Sequence, residues 1–219
     1  MPALEDGRLT VDDLIAWMLW FDEQVVAQAE HLTELDSAIG DADHGTNMAR
    51  GTAAVRLRLT RSRPEDAGAV LKSTGMALVS TVGGASGSLY GTLFLEMGKR
   101  VGPASELDTT VVADAFRAGV AGVVARGRAE PGDKTMVDAL QPTVEALSSA
   151  AADGRSLAES LRAAAAAASV GRDATIPLVA RKGRASYLGD RSAEHLDPGA
   201  ASAAILVQAL ADSHTERVA

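Results

Sequence analysis

The sequence predicts an all-α protein of eight helices, and three observations carry that expectation. Apolar residues recur every three to four positions over long stretches, as one buried face of an α-helix requires. Start and stop signals bound those stretches, with hydroxyl or acidic residues before them and glycine or proline after. Alternating β-branched runs are few, and no Gly-x-Gly-x-x-Gly unit follows a strand pattern, which argues against a Rossmann sheet.

The first helix should open at Thr10, paired with Asp13 as a cap. It should run to about Ile39 through Val11, Leu14, Ile15, Met18, Phe21, Val25, Ala29, Leu32 and Leu35. Trp17 and Trp20 read as packing residues on it. A second helix covers about 46–60. A third starts with Pro64 in its first turn and reaches about Val82, where Gly83-Gly84-Ala85-Ser86-Gly87 interrupts. A fourth spans Ser88 to Val101 and stops at Gly102-Pro103, and a fifth runs from an Asp108 cap to Arg126, closed by Gly127. The sixth lies near 135–151 with Pro142 inside it. Ser156 and Glu159 form a capping box for an Ala-rich seventh, which Pro177 bends or ends. Lys182 to Glu194 is polar and punctuated by glycine. Asp197-Pro198-Gly199 then supplies a cap and a first-position proline for the last helix, to about Asp212.

A chain of 219 residues can bury a substantial core, and no linker-like run divides it, so the expectation is a single domain over 1–219. The apolar runs near 161–170 and 200–211 are too short to cross a bilayer. The acidic start Met1-Pro2-Ala3-Leu4-Glu5-Asp6-Gly7 lacks an apolar leader core, which predicts a soluble cytoplasmic protein with no membrane partner. Without cysteine, disulfides and cysteine catalysis are excluded. A net charge of −8 argues against nucleic acid, and Arg56, Arg58, Arg61 and Arg63 read as a solvated face or docking edge.

One stretch resists a purely structural account. Asp36, Asp41 and Asp43 fall within eight residues, broken by Gly40 and followed by Gly45. On one continuous helix Asp41 would lie about 140° round from Asp36 and Asp43 roughly 200° further, so no single face holds all three. If the incoming helix stops near Ile39 with Gly40 in the left-handed position, and the next starts after Gly45, the link can fold the three carboxylates together. Such crowding calls for cations, and hard oxygen donors favour Mg²⁺ or Ca²⁺ over zinc. A solvated turn is the competing reading. An EF-hand fails on spacing, because Thr52 stands where its bidentate glutamate belongs. His44, Gly45, Thr46 and Asn47 would open the following helix, whose free amides attract phosphate. A second block, VGGASGSLYG, is neither a Walker A loop nor a nucleophile elbow. Its small residues suit either phosphate approach or tight helix packing.

Four blocks, LDSAIGDADHGTNMARG, VGGASGSLYGTLF, RGRAEPGDKTMVDALQP and ARKGRASYLGDRSAEHLDPGA, resemble the nucleotide-binding L subunit of bacterial dihydroxyacetone kinases, in that family's order and from about Leu14 to Leu210. The resemblance implies eight antiparallel helices closed into a barrel-like bundle with the nucleotide at one end. It implies Asp36, Asp41 and Asp43 as ligands of two Mg²⁺ ions. It implies ADP or ATP contacts at His44, Gly45, Thr46, Asn47, Ala85, Ser86, Gly127, Met136, Arg184, Asp197, Pro198 and Gly199. Ser88 stands where the family commonly has proline. On residue type alone Met136 reads as core filling, Asp133 and Lys134 read as capping or ion-pairing groups, and His195 reads as surface. Arg181, Lys182, Arg184 and Arg191 gather as cations in the glycine-punctuated loop, where an arginine can close over phosphates. The implied activity is phosphoryl transfer to dihydroxyacetone held on a separate K subunit, with no catalytic base from this chain. A phosphohistidine-carrying M subunit would recharge resident ADP. An ATP-exchanging ketose kinase and a non-catalytic Mg–ADP sensor are the alternatives.

Overall fold

Nine α-helices, one 3-10 segment and two short strands make up the described residues, 7–218 of a computed structural model. The acidic segment 1–6 lies outside them. The helices are α1 (Val11–Ala27), α2 (Ala29–Ile39), α3 (His44–Arg61), α4 (Ala67–Thr81), α5 (Gly84–Val101), α6 (Thr109–Gly127), α7 (Met136–Ala152), α8 (Leu157–Asp173) and α9 (Pro198–Val218). Strand β1 (Leu9–Thr10) pairs antiparallel with β2 (Glu106–Leu107), a contact the sequence pattern does not announce. No described helix is long and apolar enough to cross a membrane.

The expected capping groups sit where their chemistry places them. Thr10 with Asp13 and Ser156 with Glu159 form reciprocal capping boxes, the Asp108 side chain accepts from the Val111 amide, and a further box, Thr135 with Asp138, is not among those expected. Each such cap satisfies amides that would otherwise lack partners. Several boundaries differ from expectation. The single first helix is two, broken at Gln28 (φ −108°, ψ 10°). The apolar spacing continues through the break, so only packing separates α1, which lies on α3, α4 and α9, from α2, which turns across the ends of α3 and α9. Helix α4 begins beyond Pro64, because Asp66 caps it by accepting from the Ala69 amide, and the Ala67 amide docks on the Ala104 carbonyl. Helix α5 starts at Gly84, four residues before Ser88, and α9 continues past Asp212. Helix α8 ends at Asp173, ahead of Pro177, and Arg184–Ser192 is a 3-10 segment bent at Gly189.

Eight of the helices close into a ring. In order round it α1, α3, α4, α5, α6, α7, α8 and α9 are neighbours, and α9 returns to α1, with α2 laid across one end. This is the eight-helix barrel-like bundle that the resemblance implies. Trp17 stands in its core between Phe94 and Phe116, at ring-centroid distances of 5.7 and 6.0 Å, and its indole N–H donates to the Leu206 carbonyl at 2.9 Å. That bond fastens α1 to α9 where the ring closes, and the aromatic contacts add the stabilisation typical of offset rings. Antiparallel succession then brings the starts of α3, α5, α7 and α9 to the same end.

Candidate functional site

At that end lies a cleft of about 580 Å³, lined by His44 of α3, Gly84, Ala85 and Ser86 of α5, Met136 and Val137 of α7, and Pro198 and Gly199 of α9. Each helix start carries amides without intrahelical acceptors and the positive end of a dipole. Four of them around one space favour an anion with several charged oxygens.

The opposite charge comes from the α2–α3 turn. Asp36 closes α2, and its Oδ2 accepts from the Asp43 amide at 2.9 Å and the His44 amide at 3.1 Å. A carboxylate on one helix thus caps the next, so α3 starts at His44 and not after Gly45. Gly40 is not left-handed as expected (φ −139°, ψ −136°); Ala42 takes the positive φ, at 61°. What Gly40 supplies is space, since a Cβ there would lie 2.0 Å from Asp36 Oδ1. The fold brings one oxygen each of Asp36, Asp41 and Asp43 within 4.8 Å of one another, the first buried and the other two exposed. Arg184 reaches across from the 3-10 segment and pairs with Asp41 at 3.0 Å.

Of the residues singled out from sequence, Asn47, Gly127, Arg184 and Asp197 also line the cleft, beside those at the helix starts. Gly45 and Thr46 do not. Gly45 is a packing glycine whose Cβ would lie 1.9 Å from the Ala29 carbonyl oxygen, so it lets α3 meet the start of α2. Met136 is buried in the cleft wall beside Leu89, Val123 and Ala129, an apolar side facing the charged one. His195 is exposed, as read from sequence. Asp133 caps locally, accepting from the Glu130 amide at 2.9 Å.

Lys134 is only 1% exposed, and its ammonium donates to the carbonyls of Thr175 (2.7 Å), Ile176 (3.2 Å) and His195. Three donors meet three acceptors, which is what an ammonium needs out of water. Burial still holds its pKa below the ordinary lysine value, against the pull of Asp197 and Glu194. The lysine therefore staples both ends of the stretch between α8 and α9, which carries Arg184 to the cleft. Asp197 caps α9 through the Ala200 amide at 2.7 Å, and burial pushes its pKa up to about 7. His44 is buried with Ser202 Oγ 2.9 Å from Nε2 and Ser86 Oγ 3.2 Å from Nδ1, and Tyr90 bonds Ser202 at 2.7 Å. Burial lowers the pKa of His44, opposed by Asp36 and Asp43, and raises that of Tyr90. Neither Tyr90 nor Ser202 stands out in the sequence, because each occupies an ordinary helical position.

A family model described as the DAK2 domain matches residues 38–212. The chain is 43% identical over 203 residues to the "PEP-dependent dihydroxyacetone kinase, ADP-binding subunit DhaL" of Escherichia coli K12, covering 93% of this chain and 97% of that protein. It is also 43% identical, over 199 residues, to "PEP-dependent dihydroxyacetone kinase 1, ADP-binding subunit DhaL" of Listeria innocua, covering 91% and 94%. Among solved structures it is similar to the dihydroxyacetone kinase from C. freundii in complex with AMP-PNP and Mg²⁺. The TM-score there is 0.69 and the identity 27%, over 97% of this chain and 36% of that one.

Proposed function

The chain belongs to the DAK2-domain family, and from that premise we propose that it is the ADP-binding subunit of a phosphoenolpyruvate-dependent dihydroxyacetone kinase. It works with a K subunit that holds dihydroxyacetone and an M subunit that returns a phosphoryl group to resident ADP. The observation that carries this reading is the meeting of three carboxylates with four helix starts around one cleft. Relatives of this chain's own length support the phosphoenolpyruvate-dependent branch over an ATP-exchanging kinase.

The donor set fits Mg²⁺. All three groups are hard oxygens, Asp36 Oδ2 accepts from two amides, and Gly40 keeps Oδ1 uncrowded. Asp36, Asp41 and Asp43 hold two Mg²⁺ ions, which when bound neutralise polyphosphate charge. The amides opening α3 and α5, among them those of Ala85 and Ser86, take phosphate oxygens. Asn47 borders them, and Arg184 adds a charge that can exchange Asp41 for phosphate. Met136, with Gly127 leaving room beside it, walls the base, and Asp197, Pro198 and Gly199 edge the pocket. Gly45 and Thr46 contribute through the α3 start and not as lining. Positioning and charge neutralisation are the chain's share of the reaction, so no catalytic base is assigned to it.

Purified chain mixed with a K subunit, dihydroxyacetone, an M subunit with its upstream phosphocarriers and phosphoenolpyruvate should form dihydroxyacetone phosphate. Product with Mg–ATP alone and none with phosphoenolpyruvate would assign it to the ATP-exchanging branch. No product under either condition, with ADP bound, would make it a sensor.

A further inference from the structure

Behind the cleft lining, four side chains from three helices form one hydrogen-bonded chain: Tyr90 OH to Ser202 Oγ (2.7 Å), Ser202 Oγ to His44 Nε2 (2.9 Å), and His44 Nδ1 to Ser86 Oγ (3.2 Å). Ser202 makes a fourth contact, 3.1 Å to the Gly199 carbonyl. Tyr90, Ser202 and His44 are buried. A buried polar hydrogen without an acceptor is costly, so the protons can be allotted by counting.

A carbonyl can only accept, so the Gly199 contact takes the Ser202 proton. Ser202 Oγ is then left with two lone pairs, which take Tyr90 O–H and His44 Nε2–H. With its proton on Nε2, the neutral imidazole accepts at Nδ1 from the Ser86 hydroxyl. Four protons fill these four contacts, and no other arrangement of the neutral chain does so; the Pro198 carbonyl, which can only accept, stands by as one more partner for the His44 ring N–H. The Nδ1–H form would turn the Ser202 proton to Nε2 and leave Gly199 without it. The doubly protonated ring would turn the half-buried Ser86 proton out into the cleft and leave the Ser86 contact filled from the ring.

We propose that Ser202, backed by Tyr90, is a positioning residue that holds His44 as the Nε2–H tautomer and thereby turns the Ser86 hydroxyl away from the cleft as a donor. Ser86 then offers the cleft oxygen lone pairs and its main-chain N–H, and an anion at the α5 start is met by backbone amides. The His44 ring, engaged on both nitrogens, ties the starts of α3, α5 and α9 together.

The test is a long-range ¹H–¹⁵N spectrum of the full chain labelled at histidine, with the His44 signals assigned by their loss in His44→Gln. The ring state is read without nucleotide, so this arm stands even if the proposed function fails. The expected pattern is a neutral ring protonated at Nε2, and Ser202→Ala should convert it to a different tautomer or a mixture. A wild-type ring protonated at Nδ1 or at both nitrogens would overturn the proposal, as would a Ser202→Ala spectrum identical to wild type. Because Ser202→Ala strands the Tyr90 hydroxyl, the Tyr90→Phe/Ser202→Ala double variant repeats the reading without that orphan. The second arm rests on the proposed function: the double variant should bind Mg–ADP about ten-fold more weakly, the scale of a hydrogen bond or two. Unaltered affinity with an altered ring state would overturn the positioning role.

Discussion

Asp41 and Asp197 show how differently two carboxylates of one cleft are held. Asp41 is exposed and, among the described residues, pairs with the exposed Arg184, an interaction of little worth to folding. Asp41→Ala should therefore leave the melting temperature near wild type. If Asp41 is a metal ligand, Mg²⁺-dependent ADP affinity in calorimetry should drop about 100-fold, at the upper end of the roughly 10- to 100-fold that outer-shell partners of a metal site cost. Equal ADP affinity in variant and wild type, with Mg²⁺ present, would remove it from the ligand set. Asp197 is buried, and its pKa of about 7 lies above the ordinary 3.8. Between those values the folded state holds a proton that the unfolded chain releases. The contribution of this group is thus best below about pH 4 and is lost as pH rises toward 7, by at most about 1.4 kcal/mol per unit. Asp197→Asn keeps an oxygen for the Ala200 amide but cannot ionise. Its melting temperature relative to wild type should climb from pH 4 to pH 7, and a difference independent of pH would contradict the shift.

Helix α7 carries Pro142 through its interior, where the missing N–H leaves the Asp138 carbonyl without its usual partner. Helix α8 makes use of that spot. A Cβ at Gly171 would lie 2.1 Å from the Asp138 carbonyl oxygen and 3.1 Å from Pro142 Cγ, so α8 meets the α7 backbone this closely only because Gly171 has no side chain. Gly171→Ala should cost about 1–3 kcal/mol as overpacking, less whatever the better helix propensity of alanine returns. The urea midpoint would fall accordingly, and an unchanged or higher midpoint would mean that the helices separate freely there. The same pairing explains why α7 continues through Pro142 without ending: its capping box at Thr135 and its contacts with α6, α8 and α9 hold it on both sides of the proline.

A ring of helices with its ligand at the mouth should be stabilised by that ligand as a whole, because binding to the folded state alone shifts unfolding by mass action. Protein purified with Mg²⁺ should carry ADP at near one per chain, and chelation should release it and lower the melting temperature by several degrees. Empty protein under those conditions, or labelled ADP exchanging within seconds, would point to an exchanging substrate. How much of this was legible beforehand differs by kind. Caps at Thr10, Asp108, Ser156 and Asp197 and the spacing of apolar residues are local, and through them the sequence by itself determined the helical class and most helix starts. The crowding of Asp36, Asp41 and Asp43 and the four family-like blocks likewise marked the cleft's charged side. Contacts between distant segments were another matter. The break at Gln28, the capping of α3 by Asp36, the burial of Lys134 against Thr175, Ile176 and His195, and the joining of Tyr90 to Ser202 and His44 were decided only by tertiary structure. Each depends on which carbonyl, hydroxyl or carboxylate the closed ring brings within hydrogen-bond reach, and spacing along the chain holds no record of that.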